Sequence, residues 1–140
     1  MKLHRSTDGR LEAFASALSG LAADAPRLLG EAVAEGGVAA ITAEFAKEAD
    51  PAGNPWARRK QPTGSWAILR KSKDMSRSAK GTPLLSAAEF TVDTPAEFHQ
   101  HGTSRMVARP VLPQFMTDLW REAIAEAVRE RIADRLRVRL

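Results

Sequence analysis

His99 and His101 flank Gln100 and run into Gly102-Thr103, and the next ten residues add Arg105, Arg109, Pro110 and Pro113. On an extended chain a His-x-His pair points both imidazoles to one side, where Glu97 or Asp93 could complete a metal site. Spacing fixes no such third ligand. Elsewhere the sequence shows no nucleophile with its base, no paired carboxylates and no phosphate-cradling loop. The two rings therefore read as structural hydrogen-bonding groups, and the expectation is a chain with no catalytic residue, metal or cofactor. The stretch from Phe98 to Pro113 has neither helical nor strand periodicity, which predicts an ordered loop.

A second chemistry lies in the middle of the chain. From Arg58 to Lys80 there are eight basic residues against the single acid Asp74. Arg70, Lys71, Lys73, Arg77 and Lys80 are candidate phosphate contacts, with Trp56 and Trp66 as stacking platforms, so a small basic nucleic-acid-binding module is the alternative reading. Against it, tryptophans in a chain with few aromatics are needed in the core, and a loop rich in Lys, Arg and Ser is commonly just solvated. The formal charge of +4 and the isoelectric point near 10.0 raise the odds of a polyanionic neighbour only slightly.

The 140 residues suit one domain spanning 1–140, large enough to bury a core without staples. The absence of cysteine removes disulfides and thiolate zinc sites and fits assembly in a reducing compartment. No signal-peptide core and no run of about 18 apolar residues are evident, so neither secretion nor membrane spanning is expected.

Apolar residues recur at Leu11, Phe14, Leu18, Leu21, Ala25, Leu28 and Val33, which predicts an amphipathic helix capped near Ser6 to Asp8 and kinked or restarted at Pro26. Gly36-Gly37 is read as a break. A second helix follows from about Val38 to Ala49, with Ile41 and Phe45 inward and Glu44, Lys47 and Glu48 outward. Asp50-Pro51-Ala52-Gly53-Asn54-Pro55 is turn chemistry, and Trp56 should fold back onto the helices. Ser65 to Arg70 predicts a strand, residues 76–82 a loop or hairpin connection, and Leu84 to Thr94 a second strand region around Phe90-Thr91-Val92. Pro95 to Glu97 opens a helical turn behind Asp93 or Thr94, and a long helix runs from Gln114 to about Arg137. The expected fold class is α+β: N-terminal helices, a small antiparallel sheet of two to four strands, and a long C-terminal helix.

Two short motifs in the loop, His99-Gln100-His101-Gly102-Thr103 and Ala108-Arg109-Pro110-Val111-Leu112, resemble the tail-completion and virion morphogenesis proteins of tailed bacteriophages, prophages and gene transfer agents. Phe45 followed by the turn ending in Trp56 looks like that family's Phe and Pro-x-Gly-x-x-Trp signature, and Thr63-Gly64 like the pair opening its first strand. His101 and Val111 depart from the aromatics usual at those two places. The resemblance implies a structural virion component at the head-tail junction: a tail completion or tail terminator protein, assembled in the bacterial host cytoplasm and resident in the neck or tail. It also implies a homo-oligomer, with a hexameric ring favoured, meeting neck and tail-tube proteins, with DNA passing nearby but not specifically bound. The subunit or partner interface would then draw on His99, Gln100, His101, Gly102, Thr103, Arg105, Arg109 and Pro110. Arginine forks on a proline-stiffened loop suit such contacts, so Arg109→Ala is expected to leave the monomer folded and impair assembly.

Overall fold

The computed structural model describes residues 8–59, 74–93 and 95–137. In chain order the elements are α1 (Asp8–Lys47), α2 (Asp74–Ser78), β1 (Lys80–Leu84), β2 (Ala87–Thr91), α3 (Pro95–His101) and α4 (Asp118–Arg137). The class is α+β, with helices around a two-stranded antiparallel sheet. The strand expected over Ser65 to Arg70 lies outside the described residues.

The N-terminal region is one helix rather than two. α1 runs unbroken for 40 residues, about 60 Å at 1.5 Å per residue, through both Pro26 and Gly36-Gly37. Tertiary packing overrides the local breakers here. The carbonyl of Pro26 accepts a hydrogen bond from the Ser86 amide at 2.8 Å, so the hairpin turn holds the helix where its own ladder loses a donor. The glycines are contact points. A Cβ on Gly36 would lie 2.6 Å from Ile124 Cα of α4, one on Gly37 would collide with the rings of Phe90 and Trp120, and one on Gly30 with the Leu84 carbonyl. Only a helix lacking side chains there lets the hairpin and α4 come this close.

Glu48, at φ 53°, ends α1 in the left-handed region, and the Ala49 amide bonds back to the Glu44 carbonyl at 3.1 Å. This is a Schellman-type stop. Asp50 then organises the expected turn: its carboxylate accepts the amides of Ala52 and Asn54 at 3.0 and 2.8 Å. Gly53 supplies φ 90°. Trp56 emerges buried and sets its ring edge-to-face on Phe45, 5.4 Å between centroids.

The hairpin differs from expectation in register. Residues 76–82, read as a loop, contain the end of α2 and the start of β1, and the connection is the two-residue turn Leu85-Ser86, with Ser86 at φ 55°. Gly81 and Pro83 look like breakers, yet a proline is tolerated in a strand that, among the described residues, pairs on one side only. Gly81 lets its strand lie against α1, where a Cβ would sit 2.6 Å from the Ala34 carbonyl oxygen.

α4 begins at Asp118, four residues later than the apolar spacing suggests. Thr117 sets the start: its carbonyl accepts the Arg121 amide at 2.9 Å and its hydroxyl oxygen faces the Trp120 amide at 3.4 Å. α4 runs antiparallel to α1, with Trp120 beside Glu44, Ile124 beside Gly36, Arg131 bonding Glu31 and Glu35, and Arg135 bonding Asp24. The core sits at the C-terminal end of α1, where Ile41, Phe45, Trp56, Met75, Ala96, Val111 and Trp120 meet.

Candidate assembly loop

Five of the loop's site candidates fall on or just after a helix rather than in an irregular segment. His99, Gln100 and His101 form the last turn of α3, entered where the Ala96 amide bonds the Asp93 carbonyl at 2.9 Å. Gly102 follows at φ 72°, a conformation that favours glycine, and Thr103 and Met106 exchange backbone hydrogen bonds of 3.0 and 3.2 Å. Two residues apart on a helix, His99 and His101 diverge by about 200°. That removes the shared direction on which a His-x-His metal site depends. Among the described residues no group of three His, Cys, Asp or Glu side chains could hold a metal ion.

Gln100 is the hub. Its Oε1 accepts the amides of Val111 and Leu112, each at 2.9 Å, and its Nε2 donates to the Leu112 carbonyl at 2.6 Å. A segment with no ladder of its own thereby satisfies three backbone groups through one side-chain amide. Val111 is fully buried beneath it.

Arg109 and Trp56 tie the loop to the earlier turn. The Arg109 guanidinium donates to the carbonyls of Ala57 at 2.8 Å and Arg58 at 3.4 Å, while its amide donates to the His99 carbonyl at 2.6 Å. The Trp56 indole donates to the Pro110 carbonyl at 2.9 Å. So the Phe45-to-Trp56 motif and the His99-to-Leu112 motif, about fifty residues apart in sequence, fold into one unit. His99 lies under this knot: burial pushes its imidazole below the usual histidine range, the Arg109 charge adds to that, and Nδ1 has no hydrogen-bond partner.

No protein-family model, curated protein or solved structure matches the chain. What the loop can do follows from its own geometry. Arg109 and Gln100 spend their hydrogen-bonding capacity inside the chain, whereas His101, Thr103 and Arg105 are exposed. Around them stand apolar side chains open to solvent: Phe98, Met106, Val107, Met116 and, at 81% exposure, Phe115. Prolines 110 and 113 stiffen the presenting segment. Exposed apolar side chains near a cationic one, on a segment carrying two prolines, are suited to contact with another macromolecule.

Of the basic candidates, Arg77 and Lys80 are exposed at the end of α2 and the start of β1, and Arg70, Lys71 and Lys73 lie outside the described residues. Sequence reasoning missed Glu44. Grouped with Lys47 and Glu48 on an outward face, it is instead fully buried. Trp120 Nε1 donates to its Oε1 at 2.6 Å, and Oε2 has no partner. Burial, reinforced by the Asp50 charge and only partly offset by the indole bond, pushes the Glu44 carboxyl up to about 8. The available signal was Gly37, seven residues earlier on the same helical face, where a missing side chain marks close approach.

Proposed function

We propose that the chain is a non-catalytic structural virion component of the head-tail junction, a tail completion or tail terminator subunit that forms a ring between the tail tube and the neck. The observation that carries this reading is the convergence of its two motif segments. Phe45, Trp56, Gln100, Arg109 and Pro110, chosen from sequence as family marks, build one hydrogen-bonded unit. That unit presents Phe98, Arg105, Met106, Val107 and Phe115 to the outside.

A ring closes through heterologous contacts, in which one patch on each subunit meets a different patch on the next. The loop supplies one such patch at the α4 N-terminal end of the molecule. Neck and tail-tube proteins are the further partners of this reading, and its place is the virion.

Native mass spectrometry of the full chain, together with a protein inventory of purified particles, tests it. A ring-sized species, six copies being favoured, and presence in the particle are expected. A chain that is monomeric throughout and missing from particles would overturn the reading.

A further inference from the structure

The N-terminal third of α1 carries a surface that the loop does not use. Arg135, in the last described turns of α4, bonds Asp24, and α4 ends two residues later, so among the described residues α1 runs past its partner as an arm. Of residues 9–19 all but Ala17 are exposed, including Leu11 at 63%, Phe14 at 47% and Leu18 at 43%. Directly behind this ridge, on the same helical face, lies an apolar groove of about 370 Å³ between α1 and α4, floored by Leu21, Ala25, Leu28, Val128 and Ile132. The face centred on Leu18 bears no charge from Leu11 to Leu29. The charges bordering the groove are already paired within the chain, Arg27 with Glu31, Arg131 with Glu31 and Glu35, and Arg135 with Asp24.

We infer that this face binds a second copy of the chain, the two α1 arms lying antiparallel about a twofold axis near Leu18, each arm seated in the other copy's groove. Ridge and groove are consecutive parts of one stripe, which is the self-complementarity an isologous contact needs. With Leu18 as pivot, Leu11 falls opposite Ala25 and Phe14 opposite Ala22 of the second copy, so each bulky side chain meets a small one. Complete burial of the exposed fractions of Leu11, Phe14, Leu18, Leu29 and Ile132 in both copies would remove at most roughly 1,000 Å² from water. That is the lower bound for a specific interface, so the pair is expected to be reversible and concentration-dependent. It stands apart from the virion reading, because a twofold contact does not itself close a ring.

The chain has no cysteine, so an introduced one is unique. In full-length protein, Leu18→Cys is expected to cross-link to itself under mild oxidation. Leu11→Cys is expected to cross-link only when mixed with Ala25→Cys. Phe14→Asp, at an exposed position, should keep the wild-type circular dichroism and lose the pair in sedimentation at roughly 0.1–1 mM. A head-to-tail occupant would give the mixed cross-link without the Leu18 one, and a different protein as occupant would give neither; both outcomes overturn the proposal, as does a wild-type monomer across that range. A Phe14→Asp chain that loses the pair yet still enters particles would leave the virion reading standing.

Discussion

The indole of Trp120, the third residue of α4, donates a 2.6 Å hydrogen bond to a carboxyl of Glu44 that is sealed from solvent on α1. The bond joins the two long helices at the end where the core lies; burial nevertheless favours neutral Glu44, since this one donor is all that supports a charge and the second oxygen finds none.

The sign of the resulting pH dependence follows from the raised pKa. Below about 4.5 Glu44 is protonated whether folded or unfolded, so its full contribution is present; between 4.5 and about 8 only the unfolded chain ionises, and stability falls; above about 8 the loss is complete. The total is on the order of a few kcal/mol. Glu44→Gln should remove this part of the pH slope while keeping an acceptor for the indole. Trp120→Phe should cost about 1–3 kcal/mol by stranding the buried carboxyl. Urea unfolding at pH 5, 7 and 9 measures both effects, and an unchanged slope in Glu44→Gln would contradict the assignment.

His99 should act in the opposite sense. Its pKa is lowered by burial and by Arg109, so its neutral form stabilises the fold and that stability is lost as pH falls below about 6.5. The ring is partly exposed, so solvent screens the effect and it is the smaller of the two. An NMR titration of the His99 ring protons should give a midpoint below the ordinary histidine range. In an Arg109→Ala chain the His99 midpoint should move up.

The α+β class, the turn from Asp50 to Trp56 and the long C-terminal helix were legible because each rests on local chemistry, apolar spacing for the helices and an Asx-type turn between them; the Thr117 cap that sets the start of α4 was not read. The single 40-residue helix was not, because Pro26 and Gly36-Gly37 carry breaker propensities that only contacts from Ser86, Ile124 and Phe90 explain, and those come from residues fifty or more positions away. The same reason hid Glu44. The loop motifs marked two segments that fold together, but not the division of labour in which Gln100 and Arg109 face inward and Phe115 faces out.

That account of the breakers can be tested by two substitutions of opposite sign. Pro26→Ala restores a backbone donor inside a helix that continues on both sides, and is expected to stabilise by about 1–3 kcal/mol. Gly36→Ala improves helix propensity by up to about 1 kcal/mol. It nevertheless pushes a methyl to within 2.6 Å of α4 backbone, so a net loss of about 1–3 kcal/mol is expected. Thermal unfolding followed by circular dichroism reads both. A stabilised Gly36→Ala chain would mean that the glycines are a simple propensity defect.

The loop's inward and outward residues should separate folding from assembly. Gln100→Ala leaves two amides and a carbonyl of residues 111–112 without their partner, and should cost about 1–3 kcal/mol and speed hydrogen exchange at Val111 and Leu112. Arg109→Ala removes the tie to Ala57 and Arg58, so faster exchange at 56–58 is expected alongside any assembly defect. Loss of assembly in that variant is therefore not by itself a reading of the interface. Phe115→Asp changes a side chain that is 81% exposed and should leave the melting temperature within the range of ordinary surface changes. If the loop is the ring contact of the proposed virion subunit, the same variant should lose the ring in native mass spectrometry while remaining a folded, smaller species. An intact ring in Phe115→Asp would move the contact to another face of the molecule.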